Sequence, residues 1–108
     1  MDDLSFAEMQ TIQRELQEKY KDKWRPLSPK VGRNLLLWMI GEAGEVAEII
    51  KHHGDDAIVN DAEVHRHFIE ELCDVMMYFN DVMLCYGITP EELSKVYLEK
   101  HLRNMERW

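Results

Sequence analysis

The sequence predicts an all-α protein, a four-helix bundle of the kind that assembles as an oligomer. Five glycines and three prolines among 108 residues are too few for the many turns of an all-β domain. Seven methionines, together with numerous Leu, Glu and Lys residues, favour helix. Apolar residues also recur at helical spacing in several long segments. The length fits one compact domain, residues 1–108.

The first helix is predicted to begin after Ser5. Ser5 and Glu8 have the S-x-x-E spacing of a capping box, and apolar residues at helical spacing follow them. Helix is expected to stop in the segment 21–30, because that segment contains Pro26 and Pro29.

Two longer helices are expected next. The second covers roughly residues 33–53, and Gly54 is predicted to end it. A loop is expected from there to Asn60. The third helix then runs to about residue 86, where Gly87 supplies a stop.

The fourth helix is predicted to begin at Thr89 and to continue close to Trp108. Pro90 suits a first helical turn, and Glu92 completes a second capping-box spacing. The short connections between helices predict antiparallel neighbours. The second helix is too apolar for a chain of this size to cover alone, so we expect a homodimer or homotetramer.

Charge and composition exclude several classes of protein. The formal net charge is −8, which disfavours binding to a nucleic-acid polymer through its phosphates. No apolar run reaches the 18 residues typical of a membrane span. The acidic N-terminus lacks the basic and apolar regions of a signal peptide, and two cysteines are too few for a disulfide scaffold. We therefore expect a cytoplasmic protein.

Acidic residues interrupt the apolar pattern of the two long helices. Glu42 and Glu45 are three residues apart and share a helix face, as do Glu71 and Asp74. If the helices pack antiparallel, four carboxylates converge. Converging anions in a poorly solvated site must bind protons or cations, and oxygen ligands alone favour Mg²⁺, with Mn²⁺ as the alternative. The competing interpretation is that these acids are ordinary solvent-facing helix residues.

Two segments resemble the paired motifs of a known enzyme family. GEAGEVAEI (41–49) and EELCDVMMY (70–78) are similar to the EExxE and ExxD motifs of the MazG-like and dCTP pyrophosphatase family of all-α nucleotide pyrophosphohydrolases. The segment RNLLL (33–37) resembles the dCTP pyrophosphatase branch. Gly41 occupies the position of the first Glu in EExxE, a departure that this branch shares.

The resemblance implies a fold, an activity and a set of site residues. The implied fold is the family's helical bundle, assembled as dimers or tetramers. The implied activity is Mg²⁺-dependent hydrolysis of a nucleoside or deoxynucleoside triphosphate to the monophosphate and pyrophosphate, for control of the nucleotide pool. The residues implied as catalytic metal ligands are Glu42, Glu45, Glu71 and Asp74, with Glu48 as a weaker candidate at the edge.

Further residues are candidates for substrate binding. Lys100, Asn104 and Arg107 lie on one stripe of the fourth helix and match the K-x-x-x-N-x-x-R pattern that the family places near its substrate. A solvated basic helix end would give the same stripe. Trp24 resembles the family's base-stacking aromatic, although a core anchor is the alternative. Tyr78 is expected either to line the pocket or to pack in the core.

The expected mechanism is attack by a water that is either bound to the metal or deprotonated by a glutamate, and Glu45 is nominated if a separate base exists. Two other interpretations compete with it. A di-iron bundle requires Glu-x-x-His pairs, and this sequence contains none. A non-catalytic helical module that binds a nucleotide or a partner would have the same apolar faces, and Mg²⁺-dependent product formation distinguishes it from the enzyme. Four histidines lack the spacing of a zinc-protease motif and are expected at solvated helix ends, namely His52, His53, His65 and His67.

Overall fold

The computed structural model of the protein describes residues 2–108. It contains four α-helices, and no strand occurs within this described range. The all-α class and the number of helices predicted from the sequence are therefore confirmed. The helices, in chain order α1 to α4, are Phe6–Lys19, Pro29–Asn60, Ala62–Cys85 and Pro90–Arg107.

Helix α1 begins as its sequence predicts. The Ser5 hydroxyl accepts a 3.1 Å hydrogen bond from the Glu8 backbone N–H. The Glu8 carboxylate in turn accepts a 2.9 Å bond from the Ser5 backbone N–H, which completes the capping box. These reciprocal bonds satisfy donors that a helix N-terminus otherwise leaves free.

Helix α2 begins at Pro29, earlier than the predicted start at Arg33. The prediction treated Pro29 as part of a helix-breaking segment. Proline is tolerated in a first helical turn, because its missing N–H would have no intrahelical partner there and its φ already suits a helix. The connection between α1 and α2 is correspondingly shorter than expected.

Gly54 breaks α2 as predicted, but the loop expected after it is wrong. The glycine has φ 81° and ψ 164°, a conformation that side chains disfavour, and helix resumes immediately afterwards as far as Asn60. Asn60 Nδ2 donates a 2.8 Å bond to Asp56 Oδ1 within this short segment. Asp61 alone then separates α2 from α3 and caps α3 by accepting from two backbone N–H groups.

Helices α2 and α3 form an antiparallel hairpin, and α1 packs on α3. The antiparallel register is visible where Trp38 of α2 meets Tyr78 of α3, with ring centroids 6.3 Å apart. Helix α1 is held to α3 by Phe6 against Phe79, with centroids 6.0 Å apart, and by polar contacts described below. The buried apolar residues are Val31, Val46, Ile49, Ile58, Met83 and Cys85.

Helix α4 makes little contact with the other three helices. A second capping box forms at its start, as predicted, but it has no buried residue. Large apolar side chains remain in solvent on α4, with Leu98, Leu102 and Met105 each 61–70% exposed. On α2, Leu37 and Trp38 are 58% and 63% exposed. The packed unit within one chain therefore comprises α1, α2 and α3.

Candidate metal centre and adjoining cavity

Three carboxylates from the two helices of the hairpin converge on one point. Glu42, Glu45 and Glu71 each offer an oxygen, and these oxygens lie within 4.8 Å of one another. The antiparallel packing of α2 on α3 brings the three together from their two i, i+3 acid pairs. We call Glu42, Glu45 and Glu71 the acid cluster.

Two oxygens of the acid cluster are buried without a partner. Glu42 Oε2 and Glu71 Oε2 accept no hydrogen bond from any described residue, although both are shielded from solvent. Buried polar atoms in folded proteins are nearly always satisfied. These two atoms therefore indicate that a proton or a cation completes the site.

The pKa values of Glu42 and Glu71, both half-buried, also point to a bound proton or cation. Burial raises the pKa of Glu42, and the nearby charges of Glu45, Asp74 and Glu71 raise it further. Burial also raises the pKa of Glu71, again assisted by Glu45 and Asp74. Asp74 thus lies near the acid cluster without being one of its three mutually close ligands. The raised pKa values mean that the neighbouring carboxylates repel one another when ionised and therefore favour bound protons. A bound cation would take the place of these protons and offset the repulsion.

The donor set fits a hard cation. All the converging atoms are carboxylate oxygens, which select Mg²⁺ or Mn²⁺ over softer metals. The two unpartnered buried oxygens supply positions that such an ion would satisfy. The arrangement of the residues therefore agrees with the cation expected from the sequence.

His67 is a neighbour of the acid cluster that the sequence analysis placed among solvated histidines. Its Nε2 lies 3.3 Å from Glu71 Oε1, and this contact lowers the pKa of Glu71 against the effect of burial. The i, i+4 spacing of the two residues was the available signal. Glu48, the weaker candidate, instead pairs with His52 at 3.1 Å on the exposed surface and is not part of the cluster.

A cavity of about 530 Å³ has Asp74, the neighbour of the acid cluster, in its wall. Its walls are largely apolar and include two tryptophans and a tyrosine. The polar groups at its surface come from α1, from the connection between α1 and α2, from α2 and from the face of α3 that carries Asp74. This size and character are those of small-molecule sites. The cavity wall includes the apolar and aromatic residues Trp24, Leu35, Trp38, Met77 and Tyr78 and the polar residues Gln13, Asn34, Asp74 and Asp81.

Trp24 and Tyr78, both predicted to contact substrate, line this cavity. Trp24 is 42% exposed and stacks on Tyr20 with ring centroids 4.7 Å apart, so it is not a buried core anchor. Tyr78 is half-buried and meets Trp38 edge to face. Burial raises the pKa of Tyr78, as do the charges of Glu42, Asp81 and Asp74.

The stripe of Lys100, Asn104 and Arg107 on α4, predicted to bind substrate, lies away from the cavity. Lys100 and Arg107 are exposed, Asn104 is half-buried, and none of the three lines the cavity. Two other basic residues do line it, Lys23 and Arg25, which the sequence analysis did not single out. Both belong to the connection between α1 and α2, beside Trp24.

A buried polar pair in the cavity wall was also missed. Gln13 Nε2 donates a 2.9 Å hydrogen bond to Asp81 Oδ1, and the two residues are 4% and 6% exposed. Burial raises the pKa of Asp81, whereas the bond from Gln13 lowers it. The sequence pattern places Asp81 on the face of Asp74, but nothing local in the sequence relates it to Gln13.

A model of one protein family, described as MazG nucleotide pyrophosphohydrolase domain, matches residues 31–103. This stretch is more than half of the chain and includes all four predicted acids. It leaves α1 and the connection with Trp24 outside, so part of the cavity lies beyond the match. Comparison with curated proteins and with solved structures found no match. None of the helices described in residues 2–108 combines the length and apolar character needed to cross a bilayer.

Proposed function

The chain belongs to the MazG nucleotide pyrophosphohydrolase domain family, and from that premise we propose that it hydrolyses a nucleoside or deoxynucleoside triphosphate to the monophosphate and pyrophosphate in a Mg²⁺-dependent reaction. Such a reaction would remove unwanted nucleotides from the cellular pool. The observation that carries the proposal is the convergence of three carboxylates within 4.8 Å near Asp74, which itself lines an aromatic-rich cavity.

Glu42, Glu45 and Glu71 would hold the metal ion, with Asp74 completing the set from the next turn of α3. When bound, Mg²⁺ supplies neutralisation of the triphosphate charge and polarisation of the phosphoryl oxygens, and Mn²⁺ could supply the same. The unpartnered buried oxygens of Glu42 and Glu71 support this assignment. The three ligand atoms are carboxylate oxygens, as such an ion requires.

The cavity would hold the nucleoside. Trp24 and Tyr78 present aromatic surfaces on which a base can stack, and stacking on aromatic side chains tolerates every base. Asp74 lines the same cavity, so the triphosphate would point toward the acid cluster. Lys23 and Arg25 lie at the cavity wall, where their positive charges can contact phosphate oxygens.

Water would attack the α-phosphorus directly. Its oxygen forms the new bond to phosphorus, the bond from that phosphorus to the α–β bridging oxygen breaks, and pyrophosphate leaves with the electron pair. Glu45 would accept the proton of the attacking water, because it is the most exposed member of the acid cluster and can release the proton to solvent. The cavity wall within residues 2–108 contains no Ser, Thr or Cys that could act as a covalent nucleophile.

A second copy of the chain would cover the apolar surface of α4. The exposure of Leu98, Leu102 and Met105 supports this, since single soluble chains rarely leave such a continuous apolar stripe in water. The assembly would be a homodimer or homotetramer. Lys100, Asn104 and Arg107 lie away from the cavity of their own chain, so they would contact substrate bound by a neighbouring copy.

Phosphorus NMR of the products tests the proposed reaction. A nucleoside triphosphate incubated with the protein and Mg²⁺ is expected to give monophosphate and pyrophosphate, and EDTA is expected to stop the reaction. Diphosphate and inorganic phosphate would contradict cleavage of the α–β bond. Binding of nucleotide without any product would instead identify a non-catalytic binding module.

A further inference from the structure

The Gln13–Asp81 pair lies in the cavity wall but takes no part in the chemistry described above. Both side chains are at least nine-tenths buried, and both contribute to the cavity surface. Gln13 Nε2 donates to Asp81 Oδ1 at 2.9 Å. Within residues 2–108 the bond from Gln13 to Oδ1 is the hydrogen bond that Asp81 accepts, and the residue lines the cavity, so its second oxygen is available to a ligand there.

The position of Asp81 relative to the acid cluster suits the far edge of a nucleotide. Asp74, Tyr78 and Asp81 lie on one face of α3 at positions i, i+4 and i+7. Seven residues of helix rise roughly 10 Å, so Asp81 lies about one nucleoside length from the metal end of the cavity. Tyr78 lies between the two ends, since the charges of both Asp74 and Asp81 act on its phenol.

We propose that Asp81, oriented by Gln13, accepts a hydrogen bond from the base of the nucleotide. Asp81 thereby selects bases that carry an exocyclic amino group at their outer edge, as cytosine and adenine do. This inference rests on the proposed function, because it assumes that the phosphates lie at the acid cluster. It assigns Asp81 a role in specificity and none in bond breaking.

The chemistry of the pair supports this selection. Gln13 uses an amide hydrogen on Asp81, which fixes the orientation of the carboxylate and leaves its other oxygen as an acceptor. An amino group on the base donates to that oxygen, whereas the oxo group of uracil or hypoxanthine presents a second acceptor and is repelled. A buried polar group left without its partner gives strong discrimination between otherwise similar ligands.

A purely structural role explains the pair less well. Gln10 already links α1 to the connection that follows α3, because its Nε2 donates to the Ile88 carbonyl at 3.3 Å, and it does not line the cavity. If the pair only joined the two helices, a neutral acceptor in place of Asp81 could accept the same hydrogen bond from Gln13. It would also avoid the free-energy cost of burying a carboxylate. The carboxylate at the cavity surface therefore points to a ligand.

Calorimetric titration with matched deoxynucleoside monophosphates tests the inference without requiring turnover. The pairs dCMP with dUMP and dAMP with dIMP differ chiefly in an amino or an oxo group. The full chain is expected to bind the amino member of each pair on the order of tenfold more tightly, as one hydrogen bond to a charged group provides. Asp81→Asn keeps the shape but loses the charge, and should lower that preference to about twofold or less.

Gln10→Leu is the matched control, since it removes a contact of α1 with the connection between α3 and α4, outside the cavity, and should leave the base preference unchanged. If Asp81→Asn does not fold, Gln13→Leu replaces it and should also reduce the preference by releasing Asp81. Equal affinities in the unmodified chain, a preference that survives substitution, or no binding of any monophosphate would overturn the inference. Preference for the amino-bearing bases without hydrolysis of any triphosphate would uphold the role of Asp81 and reject the proposed function. Hydrolysis without a base preference would uphold the proposed function and reject the role of Asp81.

Discussion

His67 Nε2 lies 3.3 Å from Glu71 Oε1, one helical turn away on α3. The contact lowers the pKa of a carboxyl group whose burial and acidic neighbours raise it. His67 therefore favours the ionised form of Glu71, which is the form that binds a cation. Under the proposed function, a residue outside the acid cluster would therefore adjust the affinity of the cluster for Mg²⁺.

His67→Ala is expected to weaken Mg²⁺ binding, because protons then compete better for Glu71. The loss should be roughly threefold near neutral pH, as is typical of a half-exposed ion pair, and larger in mildly acidic buffer. Titration of the protein with Mg²⁺ at several pH values measures it. His52→Ala is the control, since His52 pairs with Glu48 outside the acid cluster. Equal losses in the two variants would show that His67 has no special relation to the site.

The metal-free protein is expected to lose stability as pH rises. The folded-state pKa of Glu71 lies above its ordinary value of 4.5, so between these two values the folded state binds more protons than the unfolded state. The free energy of unfolding therefore decreases as pH increases through this window. Thermal unfolding in EDTA at about pH 5 and about pH 7.5 should give the higher midpoint at the lower pH.

Glu71→Gln isolates the contribution of the acid cluster to this dependence. The amide cannot ionise, so the decrease in stability between the two pH values should be smaller than in the unmodified chain. Mg²⁺ should raise the midpoint of the unmodified chain at the higher pH and have little effect on the variant. A variant with an unchanged pH profile would mean that other groups, such as buried Asp81, dominate the dependence.

Trp24→Ala is expected to raise KM roughly tenfold with little change in kcat, because stacking of a base on an aromatic ring stabilises the bound substrate. Steady-state kinetics with the preferred nucleotide measures both constants. Val59→Ala serves as the control, since Val59 is 70% exposed near the end of α2 and does not line the cavity. A large decrease in kcat with KM unchanged would place Trp24 in the chemical step instead.

Replacing Leu98 and Leu102 together by Glu is expected to prevent assembly. Both side chains are more than 60% exposed on α4, and two charges on this apolar stripe oppose its burial in an interface. Light scattering coupled to gel filtration should give the mass of a dimer or tetramer for the unmodified chain and of a monomer for the variant. The mass of a single chain for the unmodified protein would contradict the proposed assembly.

The sequence was sufficient to predict the features that depend on local spacing. Both capping boxes, the break at Gly54 and the approach of Glu42 to Glu71 follow from patterns within a few residues, combined with antiparallel packing. The early start of α2 was missed because Pro29 can either end a helix or begin one, and only the surrounding structure decides which.

Features that depend on distant residues were not predictable from local patterns. Gln13 and Asp81 are 68 positions apart in the chain, and only the packing of α1 on α3 brings them together. The separation of α4 from the cavity was missed for a related reason. The spacing of Lys100, Asn104 and Arg107 predicts a shared helix face but gives no information on where that helix lies.

Release of pyrophosphate by Glu71→Gln and Glu70→Gln tests the central claim most directly. The two acids are adjacent on α3, but Glu71 belongs to the acid cluster whereas Glu70 pairs with Arg66 at the surface, 3.1 Å away. The assay contains Mg²⁺ and a panel of ribo- and deoxynucleoside triphosphates. We expect the unmodified chain and Glu70→Gln to be active. Glu71→Gln is expected to lose at least a hundredfold in activity, which corresponds to roughly 3 kcal/mol of transition-state stabilisation. Equal activity in both variants would contradict the assignment of the metal centre.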